Sequence, residues 1–270
     1  MMNNPQVSVV MPNYNCARFL DEAIDSILQQ TFCDFEFIII DDGSTDNSWE
    51  IIQKYACKDD RIRAFKNERN QHIVYCRNKG VSLSKCDLIA FLDSDDIAFP
   101  ERLKIQVDYM LKNPDCGVCG SNFEMINEKS QLIGYKKFPE NHDAIKKSFF
   151  FCNPFGQNTV IVRKKCFNEV GLYNDEYRNA EDLDMWVRIG GKFKLHNIQK
   201  DLVKYRVHAK NSMFTSQKRM IRSTLKIRKK AISEYGYAMT FKGQIFYWGT
   251  WLAQWLPSKF VFWIFNFLKR

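Results

Sequence analysis

Two carboxylates two residues apart, Asp93 and Asp95, follow the apolar run 88–92 and open the stretch Asp93-Ser94-Asp95-Asp96. The run reads as a buried strand. If its pattern continues for two residues, both side chains leave the same face and their oxygens can converge on one cation. Mg²⁺ and Mn²⁺ bind such hard oxygens and usually take only one or two from protein, leaving positions for water and phosphate. The spacing therefore points to a metal-bound diphosphate. Asp95 or Asp96 can equally cap a helix beginning near Pro100-Glu101, because Asp is favoured at caps and in turns.

The elements that must position these residues alternate in the first half of the chain. Apolar runs at 7–11, 35–40, 62–65 and 88–92 read as strands, and amphipathic patterns at 18–30, 48–56 and 74–83 read as helices between them. Strand 35–40 lacks polar alternation, so it is buried on both faces. This order predicts a doubly wound, mainly parallel sheet flanked by helices. In such a sheet ligands sit beyond the carboxyl ends of the strands. The turns Pro12-Asn13-Tyr14-Asn15 and Asp41-Asp42-Gly43-Ser44-Thr45-Asp46 should then meet the Asp93 turn at one edge, the second of them also capping the helix that follows. Tyr14 can stack on a nucleobase or simply bury its ring. Asp42 can accept the imide N–H of uracil, with Asp41 stabilising the turn.

Beyond Asp96 the alternation fades into a helix at 101–112, strands at 118–126 and 159–162, a short helix at 182–189, a strand at 202–207 and a basic helix at 217–235. The formal charge is +9, and residues 200–230 hold eleven Lys or Arg against one acid, Asp201, so this block faces something anionic. From Phe241 onward lie four of the six tryptophans, a composition suited to a membrane interface. The tail's uncharged run ends at Ser258, with Pro257 and Lys259 interrupting it, and falls short of the ~20 residues of a spanning helix. With the basic block and Lys269-Arg270 it fits a monotopic anchor on an anionic, cytoplasmic membrane face. A tilted span, or burial in an oligomer interface such as a homodimer's, are the alternatives.

Nine cysteines at irregular spacing, with no leader-like apolar run, suit a reducing compartment. Cys116-Gly117-Val118-Cys119 has no second pair and reads as small buried strand residues. The sequence lacks both G-x-x-x-x-G-K-[ST] and G-x-G-x-x-G, which argues against P-loop and dinucleotide chemistry. A nucleic-acid module is disfavoured because the basic residues adjoin the aromatic tail and not the acidic cluster.

Val7-Ser8-Val9-Val10-Met11-Pro12-Asn13-Tyr14-Asn15, Ile40-Asp41-Asp42-Gly43-Ser44-Thr45-Asp46, Arg77-Asn78-Lys79-Gly80 and Asp93-Ser94-Asp95-Asp96 together resemble the family 2 glycosyltransferases of the GT-A fold. Glu181-Asp182-Leu183-Asp184-Met185-Trp186-Val187-Arg188 resembles that family's acidic motif before a helix. The resemblance implies an inverting, metal-dependent enzyme of bacterial surface-polysaccharide or lipopolysaccharide assembly. It would move a sugar from a nucleotide donor, most simply a UDP-sugar, to a saccharide or lipid-linked acceptor. Pro12, Tyr14, Asp42, Arg77, Asp93 and Ser94 would contact the nucleotide-sugar, and Asp95, with His208, would hold Mn²⁺ or Mg²⁺. Asp182 would be the general base and Glu181 would orient substrate.

Each assignment has a plainer counterpart: a solvated surface charge for Arg77, a helix N-cap for Asp182, a structural role for His208. There is no Gln-x-x-Arg-Trp motif, so a single addition is expected over polymer synthesis. The expected division is a GT-A domain over residues 1–212, with a nucleotide-sugar half near 1–115 and an acceptor half near 116–212, then a helical, aromatic-rich tail over 213–270. A sugar nucleotidyltransferase and a non-catalytic scaffold are the rival readings. The first should carry a Gly-rich turn where Pro12-Asn13-Tyr14-Asn15 stands.

Overall fold

The computed structural model describes residues 5–208 and 217–253. A mixed sheet of nine strands runs through it: β1 Val7–Asn13, β2 Phe35–Asp41, β3 Ile62–Lys66, β4 Leu88–Phe91, β5 Ile97–Ala98, β6 Cys116–Ile126, β7 Leu132–Lys136, β8 Ile161–Arg163 and β9 Lys194–Arg206. The order is β3-β2-β1-β4-β8-β6-β9-β5, with β7 paired to β6. β1 to β4 are mutually parallel where they pair, and β8 returns antiparallel between β4 and β6.

The helices are α1 Ala17–Leu28, α2 Ser48–Ala56, α3 His72–Leu83, α4 Arg102–Lys112, α5 His142–Ser148, α6 Lys164–Val170, α7 Glu181–Gly190, α8 Gln217–Tyr235 and α9 Phe241–Ala253. The α/β order expected from the sequence is present. Three differences are informative. β1 continues through Pro12 to Asn13, paired with Ile40 and Asp41, so Pro12 is a buried strand residue and not part of the turn. β4 ends at Phe91, so the strand does not carry on through Asp93 and Asp95. The expected strand at 202–207 is the second half of the longer β9, which runs parallel to β6.

Period-two alternation divides the apolar residues between the two faces of the sheet. Val10, Ile38, Ile40, Ile89 and Phe91 pack with α3, α5, α6, α7 and α8. Val9, Met11, Phe37, Ile39 and Leu92 pack with α1, α2 and α4. Cover on both faces explains why these strands are apolar throughout. α3 approaches β1 so closely that a Cβ on Gly80 would lie 2.3 Å from Val10 Cγ1. Cys116 and Cys119 are buried on β6, as expected.

α8 carries Ile227 and Ala231 into the same core as α7. Among the described residues no helix is long and apolar enough to cross a membrane. The boundary expected at 212–213, the interruption expected at Pro257 and Lys259 and the terminal Lys269 and Arg270 lie outside the described residues.

Candidate active site

The carboxyl ends of β1 and β2 are tied together by short polar side chains. Asn13 Nδ2 donates to Asp41 Oδ1 at 2.8 Å, and Ser44 donates to Asp41 through both its backbone N and its Oγ. Asp41 is fully buried and stabilises the turn. Asn15, at φ 49°, accepts from Thr45 N through Oδ1 and donates its own N–H to Ser44 Oγ, so the loops after β1 and β2 are stapled to each other.

Between these loops Tyr14 is 48% exposed, which sets aside a packing role and leaves its ring open to a ligand. Asp42 is held to the loop after β3 through one carboxylate oxygen. Its Oδ1 accepts from Asn67 Nδ2 at 2.7 Å and from Gln71 N at 2.9 Å. Gly43 makes this possible. At φ +70° it passes so near the next loop that a Cβ would stand 2.8 Å from the Arg69 carbonyl carbon. Asp46 accepts from Ser48 N and Ala17 N, so it serves the starts of α2 and α1 without occupying the N-cap position itself, which is Asn47.

Beyond β4 the two aspartates part company. Asp93 Oδ1 faces Arg77 Nη2 at 3.5 Å, whereas Asp95 Oδ2 lies 2.8 Å from His208 Nε2. The expected convergence of both on one point is therefore not what the geometry shows. The reason is the early end of β4, which lets the 93–96 turn send alternate side chains to different neighbours. Neither Asp95 nor Asp96 caps α4, whose N-cap is Glu101 with no side-chain bond. Asp96 is instead fully buried. It accepts from Arg206 N at 2.7 Å and from Asn158 Nδ2, and burial beside Asp95 and Asp93 drives its carboxyl well above the usual range. Ser94 is buried, and its carbonyl accepts from Cys16 Sγ.

Arg77 joins this turn to α7. It is buried, which removes the solvated-charge reading, and its Nη1 donates to Glu181 Oε1 at 2.7 Å. One guanidinium thus holds Glu181 and Asp93 together, over the face of Tyr173 at 5.9 Å. Among the described residues its Nε and the Glu181 Oε2 have no hydrogen-bond partner. Buried polar atoms left this way suit a polar ligand.

Asp182 is the second residue of α7 and not its N-cap, which is Ala180. Its Oδ1 accepts from Leu183 N and its Oδ2 from Asn153 Nδ2, each at 2.7 Å. Burial first, and the neighbouring Glu181 second, push its carboxyl up from 3.8 to about 6 against the pull of Arg77. That is a carboxylate suited to taking a proton near neutrality.

Sequence reasoning did not find Asn67, Asn153, Asn158, Tyr173 or the full role of Arg206. Arg206 is nearly inaccessible and donates to the Asp95 carbonyl, to Glu22 at 2.6 Å and to Ser130 Oγ, while lying 4.6 Å from the centre of the Phe19 ring. It clamps the 93–96 turn to α1 and to the β6–β7 turn. The single usable signal was its position two residues before His208. A cavity of about 600 Å³ opens alongside, between α3 and the 173–178 segment, with Gln71, Tyr75, Asn78 and Arg178 in its wall.

A parallel N-terminal half of the sheet, an acidic turn after β4 and a carboxylate pair opening α7 match a GT-A fold. Residues 8–171 match the family model for glycosyl transferase family 2, and the chain belongs to that family. It is 34% identical over 212 residues to the O-antigen biosynthesis glycosyltransferase WbnJ of Escherichia coli, covering 76% of this chain and 81% of that one. S. aureus TarS 1-349 in complex with UDP-GlcNAc superposes with a TM-score of 0.70 at 19% identity, covering 84% of this chain and 67% of that one. The mannosyltransferase PcManGT of Pyrobaculum calidifontis, in complex with GDP-Man and Mn2+, gives 0.67 at 14% identity, covering 93% and 70%. At such identities the likeness is one of fold.

Proposed function

We propose that this glycosyltransferase is an inverting enzyme that moves one sugar from a nucleotide donor, a UDP-sugar, to a saccharide or lipid-linked saccharide of a cell-surface polysaccharide. We place it at the inner face of a membrane. The observation that carries the reading is the bridge through Arg77, which brings the Asp93 turn and the Glu181-Asp182 pair to one edge of the sheet. The names of similar proteins support the donor and acceptor classes: a UDP-GlcNAc complex, a GDP-Man complex and an O-antigen enzyme.

In this reading Tyr14 stacks on the base, Asp42 meets its imide edge, and Pro12 shapes the floor beneath them. Asp93 and Ser94 lie against the ribose. Asp182 accepts the proton of the acceptor hydroxyl while Glu181, through its unpaired Oε2, orients a substrate hydroxyl. The departing diphosphate leaves from the opposite side, which gives inversion.

Asp95 and His208 fit a divalent ion. Their 2.8 Å separation approaches the about 3 Å between neighbouring ligands of an octahedral Mg²⁺ with bonds near 2.1 Å. Among the described residues no third carboxylate, His or Cys completes the set, so the donors match an ion that fills its shell with phosphate and water. When bound, the ion would stabilise charge on the leaving diphosphate.

Titration calorimetry with UDP tests the donor site. Binding should require Mn²⁺ or Mg²⁺, exceed that of GDP, disappear with chelator and weaken at least about tenfold in Asp95→Asn. Equal UDP affinity with and without metal would overturn the metal assignment, and no nucleotide binding at all would favour the scaffold reading.

A further inference from the structure

α9 carries two apolar faces. The inner one packs on the protein: Gly243 lies against Phe150, Phe246 against Phe151 at 6.0 Å, Tyr247 against Ile221 and Leu225, and Thr250 Oγ1 accepts from the buried Arg228. Those positions recur at three and four residues, so they form a complete helical stripe. The opposite stripe, Phe241, Ile245, Trp248 and Leu252, follows the same spacing. Its exposures are 78%, 57%, 59% and 59%. Trp251 adds a ring against Trp248 and is also exposed.

A water-facing stripe normally carries charge, yet α9 has only Lys242, which lies over the Phe151 ring. Four large apolar side chains standing in water on one face are the mark of an interaction surface. The partner's chemistry follows from the neighbouring helix. α8 packs along α9 and exposes Arg219, Arg222, Lys226 and Lys229 on one of its own faces. Of these, Lys226 pairs with Glu176, and among the described residues Arg222 and Lys229 have no ion-pair partner. An apolar helix face rich in Trp and Phe beside a row of exposed cations matches an anionic lipid surface. A second copy of this chain matches less well, because it would bring its own cations to the contact.

We propose that α9 lies in the plane of the membrane with Phe241, Ile245, Trp248 and Leu252 immersed, while the exposed cations of α8 meet anionic head groups. The inference builds on the membrane placement above and is independent of the transfer chemistry.

The test uses the full chain and vesicles of phosphatidylcholine with or without phosphatidylglycerol, in about 0.1 M and 0.5 M NaCl. Sedimentation should show binding only with the anionic lipid, weakened by salt. Ile245→Glu with Trp248→Glu should lower partitioning roughly tenfold or more, since each change removes one immersed side chain. UDP calorimetry and melting temperature should be unchanged. Arg222→Glu with Lys229→Glu should remove most of the salt dependence.

Brominated acyl chains should quench the tryptophan fluorescence of the unsubstituted protein, a readout that no folding defect in a variant can affect. Unchanged partitioning of the Ile245/Trp248 variant, or binding without quenching, overturns the proposal. So does a change from dimer to monomer in that variant by light scattering, which would assign the stripe to a second copy. Loss of UDP binding with lipid binding intact would count against the donor site and leave this surface standing.

Discussion

At the scale of single residues, Asp182 carries the most specific consequences. Its carboxyl protonates near 6 in the folded protein, against 3.8 for the ordinary side chain, because burial and Glu181 oppose its charge. The proposed base must be ionised, so kcat/KM should fall about tenfold per pH unit below 6 and level off above it. The sign for stability is opposite to that for activity. A carboxyl that holds its proton more tightly when folded favours the fold at low pH, and that contribution is lost as pH rises from about 4 through about 6. At neutral pH the ionised group is therefore a cost.

Asp182→Asn keeps the shape and can still accept from Leu183 N, while its new amide N–H group meets Asn153, whose side chain must turn over to accept it. It should abolish transfer, leave UDP affinity within about twofold, and raise stability at pH 7.5 by about 1 kcal/mol, a value reduced for partial solvation. Denaturant titrations at pH 4 and 7.5 check this. A variant no more stable at 7.5 than at 4, relative to the parent, would show that the carboxylate is not strained. Turnover equal to the parent would remove Asp182 from the reaction.

At the scale of elements, α3 is held against β1 by a glycine. Gly80→Ala places a Cβ 2.3 Å from Val10 Cγ1, so α3 must move outward and take Arg77 with it. The substitution should cost about 1–3 kcal/mol and weaken UDP binding, because Arg77 then loses its hold on Glu181. Val10→Ala in the same chain removes the obstructing methyls and should recover part of both losses. A double-mutant cycle in thermal unfolding and calorimetry measures the coupling, and strictly additive effects would show that the contact does not set α3's position.

Such contacts mark the boundary of what the sequence discloses. β1, β2 and β4 are legible because strands covered on both faces are unbroken apolar runs, and the acidic turns are legible because Asp, Gly and Ser crowd together at strand ends. β5 has two residues, and α5 and α6 have seven each, too few to show a period. β7 exposes Leu132, Ile133 and Tyr135, so its polarity does not alternate. Within the site, the chemical types of Asp95, Asp182 and His208 were readable. The bonds that place them were not, since Asp96 meets Asn158 and Arg206 at separations of 62 and 110 residues. Pairings of that range arise only once the sheet is assembled.

At the scale of the whole molecule, the C-terminal helices support the proposed catalytic edge from behind. α7 presents Glu181 and Asp182 at one end. At its other end Gly190 and Gly191 leave room for Tyr237 and Tyr235, and Tyr237 Oη donates to Val187 O at 2.9 Å. Arg228 Nε donates to Phe149 O, and Ile227 and Ala231 are wholly buried beside α7. Burying a large apolar side chain is worth about 1.5–3 kcal/mol, so Ile221, Ile227 and Tyr237 together stabilise the protein by an amount comparable with the roughly 5–15 kcal/mol of an entire domain. A chain ending at 216 should therefore lose its cooperative thermal transition and its UDP binding, although no proposed ligand contact has been deleted. A chain ending at 240 keeps α8, Tyr235 and Tyr237 and loses α9, whose inner face is its only packing on the rest of the described protein. It should still unfold cooperatively and bind UDP, with a melting temperature lower by a few degrees, on the order of 4–8 °C for each kcal/mol in a small domain and less in one this size. Calorimetric unfolding of the two shortened chains decides the matter. If the chain ending at 216 melts like the full protein, the catalytic edge stands without α8, and the tail's work is confined to the surface it presents.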